Sequence, residues 1–304
     1  MKLATYKPDR SAPFRLGLVS DDGQRVTPVL SDDGDALAED VGALLALGAR
    51  ATDAVEKFQS AIRTGTATTD WLDLSEVVLG PPVLRPGKIL AMGRNYYSHV
   101  REIQRANGDT TEPPPLPPAP MVFTKASSVL VGSGSPVKYP PLTSKLDYEV
   151  ELTAVIGKPC YHVDASEAHD YVAGYTILND LSMRDIQLAK AGDATLFGKN
   201  FPGAAPCGPF FISAQEFGDP GAKTIQTVVN GEVRQDSSTD EMIFPVRDIV
   251  AHCSRLGLEP GDLIATGTPA GVGLFQSDPA KLLHSGDQIR MRIEGIGELV
   301  TFIE

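Results

Sequence analysis

One tryptophan, three cysteines and five histidines are all that this 304-residue chain holds of the residues that usually signal stacking platforms, disulfides or zinc. Cys160, Cys207 and Cys253 are odd in number and far apart, which excludes a disulfide framework and paired zinc ligands. They read as reduced, buried thiols. Basic residues are also scarce: 27 Lys and Arg stand against 39 Asp and Glu, giving a net charge of −12 and a pI of about 4.9. That balance excludes the basic face that nucleic acid or an anionic membrane needs. It leaves room for a small anionic substrate, because a few local cations or a metal ion reverse the sign inside a pocket. No run is long enough to span a bilayer, and the opening MKLATYKPDRSAPF has no apolar core of a signal peptide. The expected location is the cytoplasm, with neither a membrane nor a nucleic-acid partner.

What is present is an ordinary globular composition, 42% hydrophobic and 22% charged, on a chain long enough for a large core. Residues 1–80 read as a small separate unit. FRLGLVSDDGQRVTPV suggests two strands about Asp21-Asp22-Gly23, and DALAEDVGALLALG and DAVEKFQSAIRTG suggest two helices, the second ending near Gly65. GPPVLRPGKIL serves as a hinge into a second unit, 83–304, where short apolar or alternating runs punctuated by Gly, Pro and Asn predict mostly strands. TIQTVVNGEVRQDS predicts a hairpin turning at Asn230-Gly231. QIRMRIEGIGELVTFIE predicts another, with Ile289, Met291 and Ile293 on one face. PVRDIVAHCSRLG is the clearest helix, with Pro245 in its first turn and Gly257 at its stop. RANGDTTEPPPLPPAP, residues 105–120, is a stiff exposed connector or the arm of a lid.

The chemistry starts in SKLDYEVELTAVIG, residues 144–157. On a strand Glu149 and Glu151 point the same way. Two like charges on one buried face repel and lose hydration, costs that a hard divalent cation relieves because it prefers oxygen ligands. On the two glutamates alone, a solvent-facing pair on an edge strand is the favoured explanation. Asp180, where the strand-like YVAGYTILND breaks, offers a third carboxylate at a strand end, or simply a turn cap.

GRNYYSHVREIQ places His99 and Glu102 at i, i+3, on one face if helical. A carboxylate beside an imidazole fixes its tautomer and raises its basicity, as a general base requires; a casual contact on an exposed helix is the alternative. Lys125, Arg184, Gln187 and Lys199 are candidate partners for an anion. GDLIATGTPAGVG, residues 261–273, fits neither phosphate-loop pattern and is either a plain glycine turn or a loop presenting Thr268 and its amides to a substrate.

Together GRNYYSHVRE, LDYEVELTAVIG, GYTILNDLSMRDIQ, LEPGDLIATGTPAGVG and the closing GDQIRMRIEGIGELVTFIE resemble, in order and spacing, the fumarylacetoacetate hydrolase family. The resemblance implies an α+β, mostly β fold: a mixed β-sandwich roll over 83–304 with a small N-terminal α/β domain over 1–80. It implies Mg²⁺ or Mn²⁺, with Ca²⁺ admissible in crystals, on Glu149, Glu151 and Asp180. It makes His99, Glu102, Lys125 and Lys199 catalytic, and Arg94, Tyr96, Arg184, Gln187 and Thr268 substrate-binding. A homodimer acting on a 2-oxo acid, as in aromatic catabolism, is expected. The leading activity is hydrolysis of a carbon–carbon bond in an acylpyruvate or diketo acid, by water activated at His99 and Glu102. The alternatives are a 2-oxo acid decarboxylase and a hydroxymuconate-type isomerase sharing one enolate. A non-catalytic metal-binding protein would not need the His–Glu pair. Two stretches depart from the family pattern: the proline-rich segment is longer, and GKNFPGAAPCGPFF matches the usual Lys-Ser-Phe-Asp run only in part.

Overall fold

The computed structural model describes residues 1–31, 33–190, 192–276 and 278–304. Its frame is a large mixed sheet. Successive neighbours along it are Leu72–Asp73, Arg25–Pro28, Arg15–Val19, Lys2–Lys7, Ala205–Ser213, Val172–Asn179, Val150–Ile156, Leu263–Ala265, Ile89–Gly93 and Met121–Lys125. Pairing along that path is antiparallel except between Leu263–Ala265 and Ile89–Gly93. A second sheet runs Glu232–Ser238, Thr224–Val229, Gln288–Ile293, Gly297–Ile303, Pro136–Val137. The two sheets pack where Ala205–Ser213 meets Gly297–Ile303. The architecture is therefore the mixed, sheet-dominated α+β fold expected from the sequence.

The strands of residues 2–28 do not close on themselves. Lys2–Lys7 pairs with Ala205–Ser213, Lys2 opposite Ile212 and Leu3 opposite Phe211, so the sheet runs continuously from the N-terminal segment into residues 83–304. Leu3, Tyr6 and Leu16 are buried in the common core.

Both hairpins form as patterned. Asn230 and Gly231 take φ of 50° and 84° in the first, and Ile289, Met291 and Ile293 are buried in the second while Arg290 and Arg292 bind Glu298 at the surface. The helix Val246–Cys253 follows Pro245. The earlier helix is shorter than its pattern: it covers only Val41–Ala46, because the Asp40 carboxylate caps it by accepting from the amides of Ala43 and Leu84, each at 2.6 Å.

Every residue of Val150–Ile156 is buried. A strand covered on both faces has no solvent side to which a charged residue could turn. The edge-strand explanation for Glu149 and Glu151 therefore fails.

Candidate active site

Two neighbouring strands bring the acids together. Glu149 immediately precedes the Val150–Ile156 strand, Glu151 lies within it, and Asp180 directly follows Val172–Asn179, the neighbouring strand. Register Val150↔Asn179 aligns them, and the Asp180 amide donates to the Glu149 carbonyl at 2.9 Å. Glu149 is 6% exposed; Glu151 and Asp180 are fully buried. One carboxylate oxygen from each lies within 4.8 Å of the others.

This acidity is balanced by buried cations. Lys199 Nζ donates to Glu149 Oε2 at 2.7 Å and to Asp180 Oδ2 at 2.6 Å. Lys125 Nζ donates to Asp180 Oδ1 at 2.6 Å and to the Lys199 carbonyl at 2.5 Å. Arg184 reaches Glu149 Oε1 at 2.7 Å through Nη2 and Asp147 Oδ2 at 2.8 Å through Nε. Burial alone would raise the Glu149 pKa, but Lys199 and Arg184 hold it well below the ordinary range. Glu151 goes the other way: burial, then Asp180 and Glu149, push it well above the usual value. Burial lowers Lys125, which touches one carboxylate, whereas Lys199, bridging two, is raised despite its burial.

Glu151 Oε2 accepts from the Gly267 amide at 2.8 Å, while its buried Oε1 has no hydrogen-bond partner among the described residues. An orphaned carboxylate oxygen beside two more carboxylates is a hard, all-oxygen donor set. The residues present fit a hard divalent cation, which Glu149, Glu151 and Asp180 would hold.

Of the trio, Glu149 opens onto a cavity of about 620 Å³, whose wall also includes Lys199, Arg184, Gln187, Thr268 and His99. His99 and Glu102 both lie on the helix Tyr97–Ala106, so their spacing puts them on one face. His99 Nδ1 lies 3.0 Å from Glu102 Oε2, and Glu102 Oε1 accepts from the Gly271 amide at 2.9 Å. The glycine there is required: at φ 105° a Cβ would sit 2.0 Å from the Arg234 carbonyl. Ile103, Met121, Val122 and Leu274 contribute apolar surface to the wall. Arg94, exposed and held at φ 54°, lines it too.

Two expected residues fall elsewhere. Tyr96 is fully buried, its backbone bridged to Met242, and it does not line the cavity. Lys125 is buried behind Asp180, its ammonium held by Asp180 and the Lys199 carbonyl, and it does not line the cavity. Three further residues hold the site. Asp147 binds Arg184 and accepts from the amides of Gly273 and Leu274 at 2.7 and 3.0 Å, tying the glycine-rich loop to the acidic segment. Asn95 donates to the carbonyls of Thr266 and Phe244. Gln235 donates to Thr268 Oγ1 at 2.8 Å and accepts from the Val150 amide at 3.2 Å. Asp147 stood in plain view beside the two glutamates; for Asn95 and Gln235 no local signal marks the role.

Among the described residues no helix is long and apolar enough to cross a membrane. The chain is 38% identical over 231 residues to the human mitochondrial oxaloacetate tautomerase FAHD2A, a match covering 76% of this chain and 70% of that protein. Its structure is similar to that of a fumarylacetoacetate hydrolase from Exiguobacterium antarcticum, with a TM-score of 0.77, 29% identity and coverage of 100% and 99% of the two chains. It is also similar to maleylpyruvate hydrolase from Sphingobium sp. SYK-6 in complex with manganese(II) ion and pyruvate, with a TM-score of 0.72, 26% identity and coverage of 100% and 98%. The family model described as fumarylacetoacetate (FAA) hydrolase C-terminal matches residues 88–304. The chain belongs to the fumarylacetoacetate hydrolase family.

Proposed function

We propose that this protein moves a proton at the carbon next to the carbonyl of a 2-oxo acid, interconverting keto and enol forms. The observation that carries this is the placement of His99: it lines the cavity whose wall also holds Glu149 and Lys199, and Glu102 engages its Nδ1. With the Nδ1 hydrogen directed at the carboxylate, Nε2 is left to accept a proton from C3 of the substrate or return one. Glu102 is fixed in turn by the Gly271 amide, so the imidazole keeps its orientation as it becomes charged. A divalent cation on the trio would supply Lewis-acid polarisation of the 2-oxo group. Lys199 and Arg184 offset the charge of the carboxylates around it. Similarity to oxaloacetate tautomerases favours this reaction over the others.

Carbon–carbon hydrolysis of an acylpyruvate is the second reading, favoured by the similarity to maleylpyruvate hydrolase. There the same Nε2 would take its proton from water, which would add to the distal carbonyl. Product analysis separates the two. Faster loss of enolic oxaloacetate with no new acid supports tautomerisation; two acids formed from an acylpyruvate with uptake of water put hydrolysis first. His99→Ala should slow either reaction by roughly 10²–10⁴-fold. A variant as fast as the wild type would refute the role of His99.

A further inference from the structure

Lys199 lies on the cavity wall and bridges Glu149 and Asp180, yet the element that carries it has little to hold it in place. The helix Ala194–Lys199 is six residues long. A helix this short is marginal on its own backbone bonds. Burial does not anchor it either: Leu196 and Phe197 are 53% and 56% exposed, and its buried positions are Ala194, Gly198 and Lys199. One side is fixed by close approach, since a Cβ on Gly198 would sit 2.6 Å from the Gln187 Cα.

The other side is fixed by the side chain of Asn200. The strand Met121–Lys125 ends the large sheet and pairs with Ile89–Gly93 on one side. Such a strand turns unpaired backbone groups outward. Asn200 takes up two of them: its Oδ1 accepts from the Ala126 amide at 2.6 Å, and its Nδ2 donates to the Thr124 carbonyl at 3.3 Å. These two groups flank Lys125. The same Nδ2 donates to the Leu196 carbonyl at 2.9 Å, satisfying an acceptor in the last turn of the helix. Turning the amide over would set its oxygen against two carbonyls, so its partners fix its orientation. With the strand and the helix end joined in this way, the Lys199 carbonyl meets Lys125 Nζ at 2.5 Å, and Lys199 Nζ lies 5.2 Å from the centre of the Phe123 ring.

We propose that Asn200 is a positioning residue of the active site. It ties the backbone on both sides of Lys125 to the helix that ends in Lys199, and so sets the Lys199 ammonium between Glu149 and Asp180. Without that tie the helix end moves against the strand, and the two carboxylates meet an anionic substrate less well compensated. The inference rests on the reading that the site turns over a 2-oxo acid, and it holds for tautomerisation and hydrolysis alike.

Asn200→Asp and Asn200→Ala test it in the full chain. The aspartate keeps the shape and the Ala126 contact but cannot donate to Thr124 or Leu196, so it probes the tie even where the alanine variant does not fold. With Mg²⁺ and oxaloacetate, or an acylpyruvate if that is what the wild type consumes, either substitution should lower kcat/KM at least ~10-fold. In a Lys199→Gln background the same substitutions should cost less than ~2-fold, because the group they position is gone. A second readout needs neither metal nor substrate: acetylation of amines by acetic anhydride with chelator present, mapped by mass spectrometry. Lys199 should react at least ~10-fold faster in the Asn200 variants, while Lys88 and Lys281, paired with Asp262 and Glu232 elsewhere, keep their wild-type rates. A folded variant with wild-type Lys199 reactivity, or an equal loss of kcat/KM in both Lys199 backgrounds, overturns the role of Asn200. A wild-type enzyme inert to both substrates overturns the 2-oxo acid reading alone; faster labelling of Lys199 then still supports the tie, and unchanged labelling overturns it.

Discussion

Glu151 is the residue on which the charge balance of the site turns. Four buried carboxylates, Asp147, Glu149, Glu151 and Asp180, face three buried cations, Lys125, Lys199 and Arg184. Each of the other three acids accepts from a cation, whereas among the described residues Glu151 takes only the Gly267 amide and keeps one oxygen unpartnered. Its raised pKa follows from burial and from Asp180 and Glu149 beside it. In the metal-free protein its charge is thus a cost, and with a divalent cation bound it becomes an asset. Glu151→Gln keeps the shape, keeps an acceptor for Gly267, and turns a repelling oxygen into a donor. Without metal the variant should be more stable than the wild type by about 1 kcal/mol. At a hundredfold excess of Mg²⁺ or Mn²⁺ over its Kd the wild type should gain about 2.7 kcal/mol, and the variant little of it. Thermal unfolding with chelator and with metal checks both signs; an equal metal-induced rise in Tm for the two proteins would rule out Glu151 as a ligand.

At the scale of elements, the site is a junction between the large sheet, which supplies the acids, and loops stitched to it from elsewhere. Gln235, in the hairpin of the second sheet, is 1% exposed and links the Val150 amide to Thr268 and the Pro269 carbonyl. Gln235→Leu has nearly the same volume but leaves those groups unpaired, at a cost of about 1–3 kcal/mol. The loop bearing Thr268 should then lose its fixed distance from the acids, and KM for a 2-oxo acid should rise several-fold more than kcat falls. A variant with wild-type KM would show that the clamp does not set the cavity. The same junction explains what could be read from the sequence. The trio, the His–Glu pair and the glycine-rich loop each sit in one short run whose residue types name their chemistry. The role of Gln235 comes from partners 33 and 85 positions away, and that of Asn95 from carbonyls 149 and 171 away. Nothing local distinguishes them from ordinary hairpin and turn residues. Lys125 was legible as a lysine of the site, but only the packing shows it behind Asp180.

Across the whole molecule, one continuous sheet carries the N-terminal strands and the acidic segment, and its core buries groups that ionise in alkali. Separation of residues 1–80 looked natural from the proline-rich hinge; pairing between Lys2–Lys7 and Ala205–Ser213 joins segments some two hundred positions apart, which local pattern does not reveal. Burial raises the thiols of Cys160, Cys207 and Cys253, the last two to about 12. It also raises the phenols of Tyr6, Tyr96, Tyr148 and Tyr175. In the unfolded chain a thiol ionises near pH ~8.5–9 and a phenol near ~10. Above those values the unfolded state has released protons that the folded state still holds, so stability present below pH ~9 is lost as the pH climbs toward the folded values. At pH ~11 each of Cys207 and Cys253 would contribute a loss of order 2–3 kcal/mol. The two together reach the low end of the stability of an ordinary domain, roughly 5–15 kcal/mol. Urea unfolding at pH 7, 9 and 10.5 should show a midpoint that holds to about pH 9 and then drops. Cys207→Ala, whatever it costs at neutral pH, should make that alkaline drop shallower. A midpoint that stayed level to pH 10.5 would mean that water reaches these thiols and phenols in the folded state.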